Sequence, residues 1–159
     1  MKKIGKILAA NRSEIAIRIF RAAEESGIKT AAIYSKEDRF AIHRFKTDES
    51  YLVGEGKGPI QAYLDIDSII RIAKDAKVDA IHPGYGFLSE SPELAEQCEK
   101  NDITFIGPSK EILKRFGNKT EAKKVAEEAN VGTVPSVLVT KENLKNVEKE
   151  VEKIGYPVI

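Results

Sequence analysis

Residues 6–27 read KILAANRSEIAIRIFRAAEESG, and the fold class follows from this stretch. Its short apolar run at 6–10 predicts a buried strand, and residues 14–26 carry apolar side chains at helical spacing. Gly27 stands where helices commonly end, because glycine adopts the left-handed conformation without strain. Another apolar run follows at residues 29–34. The stretch therefore predicts a strand, a helix and a second strand parallel to the first.

The same alternation continues along the sequence. Further strands are predicted at residues 51–53, 79–82, 104–106 and 137–140, with the start of another at 156–159. A short helix is predicted between residues 35 and 45, and longer helices at 66–76, 92–101, 110–116, from 119 onward, and around 144–154. This order indicates parallel βαβ units, and hence a three-layer α/β fold with helices on both faces of a parallel sheet. A domain boundary is expected near residues 116–117, where two helices meet.

Composition excludes several classes of partner. The 159 residues include 26 Lys and Arg against 25 Asp and Glu, and the two signs interleave, so no nucleic-acid surface is predicted. The single cysteine, Cys98, cannot form an internal disulfide, and no run is long and apolar enough for a signal peptide or membrane span. We expect a cytoplasmic protein. With only two histidines and one cysteine, no zinc site is predicted.

Two familiar nucleotide-binding motifs are absent from the sequence. The first strand-to-helix turn, residues 9–13, has no glycine, so the dinucleotide fingerprint fails where it is needed. Residues 54–58 (GEGKG) are glycine-rich, but no Gly-Lys-Ser/Thr follows, and a flexible surface loop is the better interpretation.

Residues 82–90 (HPGYGFLSE) are more informative, because they begin at the carboxyl end of a predicted strand, where open α/β sheets bind ligands. Two glycines around Tyr85 allow a sharp turn that exposes an aromatic hydroxyl. An ordinary turn with a half-buried tyrosine is the alternative.

Two further features each allow two interpretations. Lys119 follows the predicted cap Asn118 at a helix start, where its ammonium either binds an anion together with the free amides or is simply solvated. On the first helix, Arg18, Arg21 and Glu25 lie in the single polar stripe of an otherwise apolar helix. Such a helix is expected to be buried on more than one side, and the stripe is either a subunit contact or a solvated face.

Four segments together resemble the biotin carboxylase family. They are residues 6–18 (KILAANRSEIAIR), 82–90 (HPGYGFLSE), 105–109 (FIGPS) and 155–159 (GYPVI), in the family's order and at suitable spacing. Within that family, residues 43–49 (HRFKTDE) and 58–64 (GPIQAYL) are most similar to the pyruvate carboxylase type, with acetyl-CoA and other acyl-CoA carboxylases as the near alternative.

The resemblance implies both a fold and a chemistry. Family members use ATP and Mg²⁺ to activate bicarbonate and then carboxylate biotin. Residues 1–115 are expected to form a Rossmann-like pre-ATP-grasp domain, and residues 116–159 the truncated start of an ATP-grasp domain. Lys119 corresponds to a lysine that contacts ATP phosphates, Tyr85 and Gly86 to the loop facing the biotin pocket, and Arg18, Arg21 and Glu25 to a homodimer contact. A biotin carboxyl carrier domain and the remainder of the ATP-grasp domain are the implied partners.

The resemblance also has limits. Asn118 stands where the family usually has Asp, Ser13 where Gly is commoner, and residues 133–136 lack the usual Pro-Gly. The family's magnesium carboxylates and its bicarbonate-binding and catalytic residues lie beyond the segments matched here. We therefore expect an N-terminal fragment that is inactive alone and binds no cofactor tightly. A stand-alone dimerisation or binding module is the alternative of a different class. A carbamoyl-phosphate synthetase half is disfavoured by the 82–90 loop.

Overall fold

The computed structural model describes residues 3–158, and the chain divides into two compact units at the Lys114–Arg115 link. The first unit contains a five-stranded, wholly parallel sheet in the order β3-β2-β1-β4-β5. Its strands are β1 (Lys6–Ala9), β2 (Lys29–Tyr34), β3 (Glu49–Leu52), β4 (Ala80–His82) and β5 (Thr104–Phe105). The strand order reverses direction between β1 and β4, so the sheet has its topological switch point there.

Helices cover both faces of this sheet. Helix α1 (Ser13–Glu25) packs on one face, and α2 (Ile66–Asp75) and α3 (Pro92–Lys100) pack on the other. Successive strand residues alternate between the two cores, because side chains of a strand point to opposite faces. Leu8 belongs to the core under α2 and α3, whereas Ile7 and Ala9 belong to the core under α1. The predicted α/β fold with three layers is thereby confirmed.

The helix termini follow the chemistry of the sequence. Asp65 caps α2 by accepting a hydrogen bond from the Ser68 amide at 3.3 Å, and Ser91 caps α3 by accepting one from the Leu94 amide at 3.1 Å. Gly27, just beyond α1, has a φ of +69°. These contacts satisfy amides that a helix leaves unpaired at its start.

The burial of α1 differs from expectation. Its buried residues are Ala16, Ile19, Phe20 and Ala23, which lie on one face at helical spacing. Ile17 is half-buried and Ala22 is exposed, so the prediction that the helix is buried on more than one side is wrong for the described residues. Alanine has little apolar surface, so exposing Ala22 to water costs little free energy.

The segment between β2 and β3 also differs from expectation. In place of one short helix this segment forms two 3₁₀ helices, Glu37–Phe40 and Ile42–Phe45. Another 3₁₀ helix, Gln61–Leu64, lies between β3 and α2. Short 3₁₀ turns are common connectors of this kind.

The second unit is helical in its described part. The boundary between the two units falls within helix α4 (Lys110–Phe116). Helices α5 (Lys119–Glu128) and α6 (Val147–Ile154) follow. The strand predicted at 137–140 is wrong: Asn143 accepts a hydrogen bond from the Thr140 amide at 2.8 Å and donates one to the Leu138 carbonyl at 2.7 Å. These local bonds compete with strand pairing. Residues 156–158 form no strand either, and residue 159 lies outside the described residues.

Candidate functional site

A cleft opens at the switch point of the sheet, where the turn after β1 meets the loop after β4. It has a volume of about 390 Å³. Its lining residues are Asn11, Arg12, Ser13, Glu14, Ile15, Tyr85, Gly86 and Phe87. Both segments follow the carboxyl ends of neighbouring parallel strands, which is where ligands bind in open α/β sheets. No helix in the described range is both long and apolar enough to cross a bilayer.

Asn11 joins the two sides of the cleft. The residue is 1% exposed, and its Nδ2 donates to the carbonyl oxygens of Pro83 at 2.7 Å and Tyr85 at 2.9 Å. The Arg12 amide donates to Asn11 Oδ1 at 2.9 Å. The carboxamide therefore uses both N–H groups and its oxygen, as a buried amide must if it is not to lose hydrogen bonds on folding.

The loop after β4 turns sharply at two glycines. Gly84 and Gly86 have φ values of +68° and +67°, in the region that favours glycine. A Cβ on Gly84 would lie 2.5 Å from Ile15 Cγ2, whereas no atom lies within 4 Å of one built on Gly86. Tyr85, between them, is 71% exposed. Of the two interpretations that the sequence left open, the exposed tyrosine is the one observed, and the role of Tyr85 in binding stays a prediction.

His82, the last residue of β4, supports the same loop. Its Nδ1 accepts a hydrogen bond from the Gly84 amide at 2.9 Å, so this nitrogen carries no proton. Burial lowers the pKa of His82, which favours the neutral ring that this hydrogen bond requires.

A second group of side chains braces the other end of the loop. The guanidinium of Arg12 lies 5.6 Å from the ring centres of both Tyr63 and Phe87, whose rings stack at 5.2 Å. Asp38 Oδ2 accepts hydrogen bonds from the Tyr63 hydroxyl at 2.7 Å and from Arg12 Nη1 at 3.3 Å. Burial, followed by the hydrogen bond to Asp38, raises the pKa of Tyr63, which stays a neutral donor. Sequence reasoning missed this group because its members lie on four separate segments with no motif linking them.

His43 lies wholly buried behind this group. Its Nε2 lies 3.1 Å from the carbonyl oxygen of Ile33, which can only accept, so Nε2 carries the proton. Nδ1 has no hydrogen-bond partner among residues 3–158. Burial lowers the pKa of His43, so the ring is neutral near pH 7. Over the same residues, no group of three or more His, Cys, Asp or Glu side chains is arranged to hold a metal ion.

Lys119 lies in the second unit, at the first position of α5. Asn118 caps this helix by accepting hydrogen bonds from the amides of Thr120 at 2.9 Å and Glu121 at 3.4 Å. Lys119 lines a cleft of about 300 Å³ together with Lys123 and other side chains of α5. A helix N-terminus beside ammonium groups attracts anions. The interpretation of Lys119 as a phosphate contact stays a prediction.

The polar stripe of α1 faces outward. Arg18, Arg21 and Glu25 are all exposed, and Arg18 pairs with Glu14 at 3.5 Å. An exposed ion pair of this kind adds little to stability, so the arginines are available for other contacts. The predicted subunit contact stays a prediction.

Comparison with known proteins places this geometry in context. A model of the biotin carboxylase N-terminal domain matches residues 3–113. Pyruvate carboxylase of Bacillus subtilis (strain 168) is 56% identical over 158 residues, which cover 99% of this chain and 14% of that protein.

Solved structures agree with these sequence matches. A variant of Rhizobium etli pyruvate carboxylase, with the allosteric activator acetyl coenzyme A, superposes with a TM-score of 0.89 at 52% identity, over 98% of this chain and 14% of that one. The biotin carboxylase domain dimer of Hydrogenobacter thermophilus 2-oxoglutarate carboxylase, in complex with MgADP, ADP and bicarbonate, gives 0.91 at 39% identity, over 99% of this chain and 34% of that one. The chain thus spans about a seventh of the pyruvate carboxylases and about a third of this carboxylase domain.

Proposed function

The chain belongs to the biotin carboxylase N-terminal domain family, and from that premise we propose that it acts as the N-terminal part of an ATP-dependent biotin carboxylase of the pyruvate carboxylase type. The full-length enzyme would use bicarbonate, ATP, Mg²⁺ and biotin to form carboxybiotin. Its acyl acceptor would be bound by another domain. The single observation that carries the proposal is the cleft at the switch point, where Tyr85 projects from a loop held by the buried Asn11.

The chemistry of this cleft suits the head group of biotin. That group is a compact bicyclic ring with a polar ureido edge and an apolar thioether edge. Tyr85 and Ile15 offer aromatic and aliphatic surface, and the turn at Gly86 leaves the loop backbone open to a polar edge. Small-molecule sites commonly combine apolar walls with a few fixed polar groups in this way. We propose that Tyr85 and Gly86 form one wall of the biotin pocket.

The ATP contact is proposed for the second unit, whose residues 116–159 would begin an ATP-grasp domain. Lys119 combines a cationic side chain with the amino end of a ten-residue helix, and both favour a phosphate group. ATP supplies the phosphoryl group when bound, and Lys119 would orient its phosphates. We propose that the rest of the nucleotide site and the magnesium ligands belong to the remainder of the ATP-grasp domain, so that residues 1–159 alone bind no cofactor tightly.

The proposed partners follow from the same family. They are the biotin carboxyl carrier domain, the remainder of the ATP-grasp domain, and a second copy that meets the stripe of Arg18, Arg21 and Glu25. The exposure of this stripe supports that contact, because a planar guanidinium pairs readily with carboxylates across an interface. We propose a cytoplasmic location, which suits a lone cysteine kept reduced.

Two substitutions in the full-length protein separate the proposed roles. Lys119→Ala should raise KM for ATP or lower turnover by about ten- to a hundredfold, since a charge-assisted hydrogen bond contributes about 1.5–3 kcal/mol. Tyr85→Ala should instead raise KM for free biotin and leave KM for ATP unchanged. Lys149→Ala, at an exposed lysine of α6, is the matched control and should change neither constant. Unchanged ATP kinetics in the Lys119 variant would refute its assignment.

The isolated chain offers a separate test. It should release no phosphate from ATP in response to bicarbonate, with or without biotin, because catalysis of this kind needs the metal and phosphates held together in one site. A colorimetric phosphate assay with a no-protein blank measures this. Bicarbonate-dependent release above the blank would show that residues 1–159 contain the whole catalytic site.

A further inference from the structure

The strongest unassigned feature of the cleft is the side chain of Asn11. It is almost wholly buried, and its Nδ2 donates two hydrogen bonds to the loop that carries Tyr85. We propose that Asn11 is a positioning residue, which sets the direction in which Tyr85 and Gly86 meet biotin. This inference rests on the proposed function, because it assumes that biotin is the ligand at this loop.

The loop needs such an anchor. Its two glycines allow more backbone conformations than other residues would. Tyr85 is largely exposed, and Gly86 has open space where its side chain would be, so neither residue is held by packing. The carbonyls of Pro83 and Tyr85 both accept from one carboxamide, which fixes two peptide planes on either side of Gly84. Asn11 therefore constrains the backbone where packing does not.

Asn11 also links the loop to a rigid part of the fold. It follows β1, whose residue Ala9 pairs with His82 in the sheet, and its Oδ1 accepts from the Arg12 amide. The Arg12 side chain in turn lies over the ring of Phe87, beyond the other end of the glycine turn. Consecutive residues of the β1 turn thus hold the loop on both sides of Tyr85 and Gly86.

A kinetic consequence follows from this arrangement. If the loop samples other conformations, the apparent affinity for biotin falls in proportion to the fraction that remains competent. Removing two hydrogen bonds lowers that fraction, and we expect KM for free biotin to rise about tenfold in Asn11→Ala. KM for ATP should not change, because the proposed ATP contact is made by Lys119 and not by this loop. A general loss of structure would affect both substrates.

The test uses the full-length protein with two readouts. Steady-state kinetics are measured with free biotin and with ATP as the varied substrate, and hydrogen exchange is measured at the amides of residues 84–89. In Asn11→Ala, exchange in this segment should become about tenfold faster, while the amides of β1 and β2 stay protected. Asn101→Ala is the matched control: Asn101 Nδ2 also donates to a backbone carbonyl, that of Gln97 at 2.8 Å, at the end of α3. It should alter neither readout.

Asn11→Ser extends the test should the alanine variant fold poorly. A serine hydroxyl retains one donor, so this variant should show the same pattern with a smaller increase in KM for biotin. Equal changes for biotin and ATP, or unchanged exchange at residues 84–89, would overturn the positioning role. Wild-type protein without biotin-dependent activity would instead overturn the proposed function, and the role toward biotin with it. Faster exchange with an unchanged KM for biotin would show that Asn11 orders the loop without serving biotin, which also overturns the inference.

Discussion

Gly84 and Gly86 provide a matched pair of substitutions within one loop. Their φ values differ by only one degree, +68° and +67°, but their surroundings are opposite. A Cβ on Gly84 would lie 2.5 Å from Ile15 Cγ2 and 2.7 Å from Asn11 Nδ2. A Cβ on Gly86 would meet no atom within 4 Å. Gly84→Ala therefore tests backbone strain plus close packing, whereas Gly86→Ala tests backbone strain alone.

The expected magnitudes follow from these two terms. An alanine held in the left-handed region costs about 1–2 kcal/mol, and this cost is common to both variants. Forcing a methyl group into a filled site adds about 1–3 kcal/mol, because neighbours must move from their preferred positions. Gly86→Ala should therefore lower the free energy of unfolding by about 1–2 kcal/mol and Gly84→Ala by about 2–5 kcal/mol.

Urea unfolding of the isolated chain, followed by far-ultraviolet circular dichroism, measures both values. The slope of free energy against urea concentration should be the same in the two variants, because they expose the same surface on unfolding. Equal destabilisation would refute the reasoning, since it would mean that Ile15 and Asn11 do not confine Gly84. Greater destabilisation of Gly86→Ala would refute it more strongly.

Three further predictions concern pH and association. Burial lowers the pKa of His43, so the contribution of His43 to stability is present above about pH 6.5 and is lost as pH falls toward the lower, folded-state pKa. The variant His43→Gln keeps a donor for the Ile33 carbonyl and does not titrate. Measured by urea unfolding, it should lose less stability than the wild type between about pH 7 and about pH 5. Hydrogen bonds from Thr30 hold the pKa of Asp48 below its usual value, so its contribution is lost as pH falls below about 4, and Asp48→Asn should flatten the acid limb of a thermal unfolding series. Arg21→Glu should weaken any self-association seen by sedimentation velocity, and a dimer that tolerates the change would place the interface outside this stripe.

Local signals in the sequence predicted much of the first unit. The apolar runs predicted β1 and β2 to within one residue, and the helices predicted at 66–76 and 92–101 agree with α2 and α3 to within one residue at each end. Each of these features depends on residues within a few positions of one another. The resemblance to biotin carboxylases is confirmed as well, because a model of the biotin carboxylase N-terminal domain matches residues 3–113 and a pyruvate carboxylase is 56% identical over 158 residues.

Features that depend on distant residues were not predictable in the same way. The apolar run at 137–140 has strand propensity, but a strand also needs a partner strand. The side chain of Asn143, which is near in sequence, instead forms hydrogen bonds with the backbone of Thr140 and Leu138. The contact of Arg12 with Tyr63 joins residues 51 positions apart, so no spacing rule along the chain reveals it. The burial of α1 also depends on its neighbours, since its periodicity does not show how many elements pack around it.

The candidate site shows how a local pattern and a distant contact combine. The sequence indicated Tyr85 because its loop follows a strand, but it did not indicate Asn11, which lies 74 positions away. The register of the sheet brings the two together, because the pairing of Ala9 with His82 places the segments that follow these residues at the same edge. A slip of one residue would turn each side chain of β4 to the opposite face and separate the donor from its carbonyls. The apolar residues that bury β1 and β4 therefore also determine the geometry at Tyr85, which is why a substitution in the sheet core could alter the cleft without touching it.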